Sequence, residues 1–142
     1  MPLAPPPPFA HFPARTFDKV RYADTDRQGH VNNALFATFF ETGRVELLYA
    51  PDAPLAVAGG AWVLARIEID LRAELRWPGE VQSGTAVLAV GRSSVTLQQA
   101  LVQGEVCAAT ARTVVVQVDG ATGRACPLGP AAVARFEALR LP

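Results

Sequence analysis

Net charge is the first thing this sequence lacks: thirteen basic residues meet thirteen acidic ones across 142 positions. A nucleic-acid or anionic-membrane partner draws on a basic face, so neither is expected. Lysine is almost missing too. Lys19 stands alone among arginines, a bias that reads as coding preference rather than anion recognition. Cysteine is scarce, and Cys107 and Cys126 form no CxxC and have no histidine pair beside them, so neither a zinc site nor a disulfide framework is expected. No run of about 18 uncharged apolar residues could span a bilayer. The N-terminus also lacks the basic and apolar regions of a secretion signal. A cytoplasmic, reduced protein is therefore expected. Histidine occurs only as His11 and His30, and there is no GxSxG elbow, GxGxxG or GxxxxGK[ST], which excludes the familiar nucleophilic triads and nucleotide-binding loops.

What is present suffices for one core, since half of the 142 residues are apolar and that length suits one domain. The opening MPLAPPPPFAHFP cannot be helix or central strand, because each proline fixes φ and removes a donor. Residues 1–13 are thus expected to form a disordered arm outside a single domain at 14–142. Residues 14–22 suggest a short strand, and 34–49 (ALFATFFETGRVELLY) a helix halted by Ala50-Pro51. The first half of that helix is apolar on every side, which predicts an enclosed helix. From Trp62 the period becomes two. The odd positions Val63, Ala65, Ile67, Ile69, Leu71, Ala73 and Leu75 are apolar while Arg66, Glu68, Asp70, Arg72 and Glu74 alternate with them, the pattern of a long strand with one buried face. Strands at 81–90, 95–102 and 106–118 follow after turns, and a short helix closes the chain at 130–139. Short turns between consecutive strands imply an antiparallel meander, and an apolar helix beside it implies a sheet wrapped around a long central helix, an α+β architecture.

The densest polar cluster, RYADTDRQGHVNN at 21–33, feeds straight into that helix. The first N–H groups of a helix have no partner, so its start suits developing negative charge. Singly, each residue also has a turn or capping role. Asn33 suits an N-cap, Gly29 a positive φ, and Asp24 or Asp26 an Asx-turn.

The stretch RYADTDRQGHVNNALFATFFETGRVELL resembles the signature of the 4-hydroxybenzoyl-CoA thioesterase-like branch of the hotdog superfamily: Asp-x-Asp, then Gly, His, Asn-Asn, an aromatic and a later Glu-x-x-Arg. The likeness runs over about residues 16–130, through the Gly-Arg-Ser-Ser turn at 91–94 and VVVQVDGATGRACPLG. It implies a hotdog fold, subunits paired sheet edge to edge as a homodimer or dimer of dimers, and an active site at their interface. The second acid, Asp26, becomes the catalytic carboxylate, acting as nucleophile or general base. The backbone N–H of Asn33 becomes the group that polarises the thioester carbonyl. Arg92 matches in position an arginine that holds the coenzyme A nucleotide, with Ser93 and Ser94 beside it. His30 suits the substrate pocket, a loop-orienting role or a purely structural one, and Trp62, Phe36 and Phe40 suit an acyl or aryl pocket or the core. Phe36 and Phe40 depart from the family, which often has tyrosine there. Coenzyme A arrives as part of the substrate, and no other cofactor or metal is expected.

Two rival readings share the fold. A hydratase or dehydratase would use an acid and a histidine together, as Asp26 and His30 loosely imitate. A non-catalytic acyl-CoA sensor would resemble this fold joined to a helix-turn-helix segment, which the residues before 14 are not expected to supply.

Overall fold

A computed structural model describes residues 2–142. The chain runs through a 3-10 turn (Phe9–His11), β1 (Ala14–Val20), a second 3-10 turn (Tyr22–Asp24), α1 (Ala34–Leu48), β2 (Gly60–Leu71), β3 (Gly79–Val90), β4 (Ser94–Gln103), β5 (Val106–Asp119) and α2 (Pro130–Ala138). All five strands pair antiparallel in the order β1-β3-β4-β5-β2. With α1 laid over β1, β3 and β4, this is the hotdog architecture.

The expected meander holds only from β3 to β5. β2 pairs with β5 and β3 with β1, because residues 72–78 do not double back into a hairpin. They run across the ends of β5 and β4 instead. The N–H groups of Arg72 and Ala73 donate to the Ala108 carbonyl at 2.8 and 3.0 Å, and the Arg76 N–H donates to Gln103 Oε1 at 2.9 Å. The strand expected to reach Leu75 therefore stops at Leu71, and Leu75 turns inward to become fully buried.

Alternation in β2 is also broken. The register slips between Leu64 and Arg66, so a bulge inserts one residue and reverses which positions face in. Trp62 is buried before the bulge while Val63 is exposed. After it, Ile67 and Ile69 pack against the core.

α1 is less enclosed than its composition suggested. Phe36, Phe39, Phe40, Gly43, Arg44, Leu47 and Leu48 are buried, but Ala34, Ala37, Thr38, Glu41 and Val45 face solvent. The helix lies close to the sheet at Gly43, where a Cβ would collide with Ser83 Oγ. Gln99, fully buried, ties the two layers by donating to the Phe40 carbonyl at 3.0 Å and to Thr85 Oγ1 at 3.1 Å.

Residues 9–13 do not stand outside the fold as expected. Phe12 is fully buried on the outer face of the sheet with Ala86 and Ala100, and Phe9 packs beside it. Prolines set the backbone of this segment, but two phenylalanines decide where it lies. Residue 1 of the expected arm is outside the described residues.

Candidate active site

The loop 21–33 is built on one fixed acid and one free one. Asp24 closes the second 3-10 turn, with its side chain 3% exposed. Its carboxylate accepts the Arg21 backbone N–H at 2.8 Å, Nε at 3.1 Å and the second guanidinium nitrogen at 2.8 Å. Burial alone would raise the Asp24 pKa, but these hydrogen bonds and the guanidinium charge outweigh it and hold the group below its ordinary value. Its carbonyl also accepts the Asn32 N–H at 2.9 Å. Asp24 thus fixes the loop rather than facing a ligand.

Asp26 sits two residues on, in a two-stranded turn. Thr25 bridges Val31, the Asp26 N–H donates to the His30 carbonyl at 2.7 Å, and Gly29 closes the turn at φ +83°, where only glycine is unstrained. Oδ1 of Asp26 accepts the N–H groups of Gln28 at 2.8 Å and His30 at 3.3 Å. That is the Asx-turn role, and it occupies one oxygen. Oδ2 has no partner among the described residues, and the side chain is exposed.

A cleft of about 280 Å³ opens beside it, lined by Asp26, His30, Asn33, Phe36, Leu71 and Glu74 among others. Asn33 begins α1 with φ −52° and ψ −34°, already helical, and its side chain caps nothing. Asn32 caps instead, its Oδ1 accepting the Ala34 N–H at 3.0 Å. The Asn33 N–H therefore has no acceptor among the described residues. Asp26 and Asn33 line one cleft, and a free carboxylate oxygen together with a helix-start N–H is a combination that can attack a carbonyl and hold the resulting oxyanion.

His30 bonds Asp26 only through its own backbone, not through its imidazole. The imidazole Nε2 lies 3.1 Å from Glu74 Oε2, and the Arg76 guanidinium donates to that same oxygen at 2.8 Å. Nothing in the local sequence singles out Glu74. In an alternating strand it would merely face solvent, and it enters the cleft because the strand ends three residues earlier, at Leu71.

Arg92, Ser93, Ser94 and Trp62 do not line this cleft. Trp62 pairs with Gln117 and Ser94 with Val116, whereas Leu71 pairs with Ala109. The two groups occupy opposite ends of the sheet, about 30 Å apart at roughly 3.3 Å per strand residue. Trp62 is a core residue, its ring edge-on to Phe136 at 5.9 Å and 69°, since the bulge turned it inward. Of the two aromatics on α1, Phe36 lines the cleft and Phe40 is fully buried. Among the described residues, no group of three His, Cys, Asp or Glu could hold a metal ion, and no helix is long and apolar enough to cross a membrane.

Residues 20–136 match the thioesterase-like superfamily. No curated protein matches the chain significantly. Among solved structures, a thioesterase from Thermus thermophilus, complexed with coenzyme A and Zn, is 31% identical, with a TM-score of 0.77 over 91% of this chain and 95% of that one. A predicted thioesterase from Bacillus stearothermophilus is 28% identical, with a TM-score of 0.79 over 89% and 95%. A protein of Pseudomonas aeruginosa, 24% identical, shares the fold at a TM-score of 0.87 over 96% and 98%.

Proposed function

The chain belongs to the thioesterase-like superfamily, and from that premise we propose that it hydrolyses an acyl- or aryl-CoA thioester to the free acid and coenzyme A at the Asp26 cleft. The observation that carries this reading is that Asp26 and Asn33 line one cleft, each with a group, Oδ2 and the backbone N–H, that has no partner among the described residues. Asp26 either attacks the carbonyl carbon to give a mixed anhydride or deprotonates water. Both routes pass through a tetrahedral oxyanion that the Asn33 N–H can hold. Placement in the 4-hydroxybenzoyl-CoA thioesterase-like branch rests on the DTDRQGHVNN motif. A cytoplasmic setting accords with two unpaired cysteines.

Arg92, Ser93 and Ser94 enter this reading through a second copy of the chain. β2 is an edge strand, and its core-facing side is only partly covered, with Leu64 48% and Leu71 49% exposed. Such an edge invites pairing. Antiparallel pairing of two β2 strands about a two-fold axis sets the Leu71 end of one beside the Gly60 end of the other. Asp26 of one subunit then approaches the Arg92 turn of its partner, where a guanidinium suits the phosphates of coenzyme A.

Thiol release from a panel of short, long and aromatic acyl-CoAs tests the activity, and release from none of them sinks it. Light scattering should give at least twice the 15.1 kDa chain mass. Mixing Asp26→Asn with Arg92→Ala chains tests the shared site. Random reassortment leaves about a quarter of sites intact in a two-fold dimer, so activity below KM should return to about that fraction. No recovery above the Arg92→Ala contribution would place the two residues in separate sites.

A further inference from the structure

We propose that Glu74 is a positioning residue for Asp26, acting through His30. The proposal rests on the Asp26 reading above and adds a residue from a different part of the chain. His30 holds Asp26 twice through its backbone: its N–H donates to Oδ1 at 3.3 Å and its carbonyl accepts the Asp26 N–H at 2.7 Å. Whatever fixes His30 therefore fixes the direction of the Asp26 carboxylate. The ring is held across the cleft by Glu74, with Nε2 3.1 Å from Oε2. Glu74 is in turn held by the Arg76 guanidinium at 2.8 Å. The chain Arg76–Glu74–His30–Asp26 thus joins the β2–β3 crossing to the turn that presents the candidate catalytic oxygen.

Glu74 is poorly suited to a purely structural role. Its side chain is 49% exposed, so its pairs are screened and add little to stability. The two segments are already stitched by backbone contacts, with the Val31 N–H donating to the Leu75 carbonyl at 2.9 Å and His30 bridging Arg76. Those contacts survive truncation of Glu74. What the carboxylate supplies beyond them is a tether on the His30 side chain that restrains the same residue's N–H and carbonyl, the two groups that hold Asp26, and a small misplacement of a reacting group can cost up to about a hundredfold in rate.

The experiment measures kcat, KM and melting temperature for Glu74→Ala, Glu74→Gln, His30→Ala and the double variant Glu74→Ala/His30→Ala, with Asp26→Asn alongside. Glu74→Ala is expected to lower kcat about ten- to a hundredfold, with KM within about threefold and an unchanged melt. Glu74→Gln keeps an acceptor for Nε2 and should restore kcat to within about threefold of wild type. The double variant should be no slower than the slower single one, since residues acting as one unit are not additive. A Glu74→Ala kcat within about threefold of wild type, or losses that multiply in the double variant, overturns the proposal. If Asp26→Asn is inactive while Glu74→Ala is normal, only the positioning role fails. If Asp26→Asn is itself active, the cleft assignment fails and the positioning role with it.

Discussion

Replacing Asp26 and Asp24 in turn by asparagine should separate two carboxylates that lie two positions apart. Asparagine at 26 keeps the Oδ1 that accepts the Gln28 and His30 N–H groups, and the position is exposed. The turn survives, and the stability cost should stay within about 0.5 kcal/mol. The negative charge is lost, and with it both attack and deprotonation. That is worth about a hundred- to ten-thousandfold in kcat, or about 2.7–5.4 kcal/mol of barrier. At position 24 the balance reverses. The carboxylate accepts three hydrogen bonds from Arg21, and an asparagine would turn an NH₂ toward the guanidinium. Arg21 is 72% exposed, so water screens the charge and the lower half of about 1–3 kcal/mol applies. In a domain of this size that lowers the melting point by several degrees. The assays are thiol release on the acyl-CoA that the panel selects and a thermal melt of each variant. Asp26→Asn should lose rate and keep its melt, while Asp24→Asn should lose melt and keep most of its rate. If Asp26→Asn retained more than about a tenth of kcat, the reasoning would be wrong. An Asp24→Asn variant that melted normally but was equally slow would assign the chemistry to the buried acid.

Other outcomes follow from the same structure. Arg92→Ala should raise KM with little change in kcat, because binding is lost equally from ground and transition states; an unchanged KM would return Arg92 to a solvated turn. Gly43→Ala should lower stability despite the better helix propensity of alanine, since its Cβ collides with Ser83 Oγ and overpacking costs about 1–3 kcal/mol; a higher melting point would refute the close approach. Phe12→Ala should cost about 3–5 kcal/mol in urea unfolding, and a loss below about 1 kcal/mol would put that segment outside the core after all. Because the folded Asp24 pKa is lowered, its contribution is present above the ordinary aspartate value of about 3.9 and vanishes as pH falls through the lower folded value. The stability gap between wild type and Asp24→Asn should therefore close in strong acid; a gap that persisted would mean the carboxylate charge is not what matters.

Local pattern made most of the elements legible. Every strand and both helices appear close to where periodicity and breakers placed them, because proline, glycine and alternation act within a few residues. Pairing was less legible, since it is decided at a distance. Nothing within 72–78 announces that RAELRWP crosses two strand ends rather than turning back, because its anchors are Ala108 and Gln103, some thirty residues on. The bulge at Ala65 was hidden for the opposite reason. Residues 66–75 alternate without a fault, but Trp62-Val63-Leu64-Ala65 is apolar throughout and fits either face, so periodicity there does not say which residue is looped out. Each error reached the candidate site. The bulge sent Trp62 into the core, and the early end of β2 brought Glu74 to His30.

The Asp-x-Asp spacing itself needs a physical account, because in an extended strand residues two apart point to the same side. Here they do not share an environment. Asp24 is the last residue of a 3-10 turn, and its side chain folds back onto Arg21 at the turn's start. Thr25, at φ −83° and ψ 149°, is already extended, so the chain changes conformation between the two acids. Asp24 is carried under the loop while Asp26 is carried onto the ladder that faces the cleft. Burying the first acid serves the second. The Asp24 carbonyl holds the Asn32 N–H at 2.9 Å, and Asn32 in turn caps α1 at Ala34. The Asn33 N–H beside it has no partner among the described residues. A substitution that loosened Asp24 would therefore disturb the oxyanion donor before the carboxylate. In slow but active Asp24 variants the loss should fall on kcat rather than KM, because an oxyanion donor binds charge that exists only in the transition state. A defect confined to KM would break this link between the buried acid and the helix start.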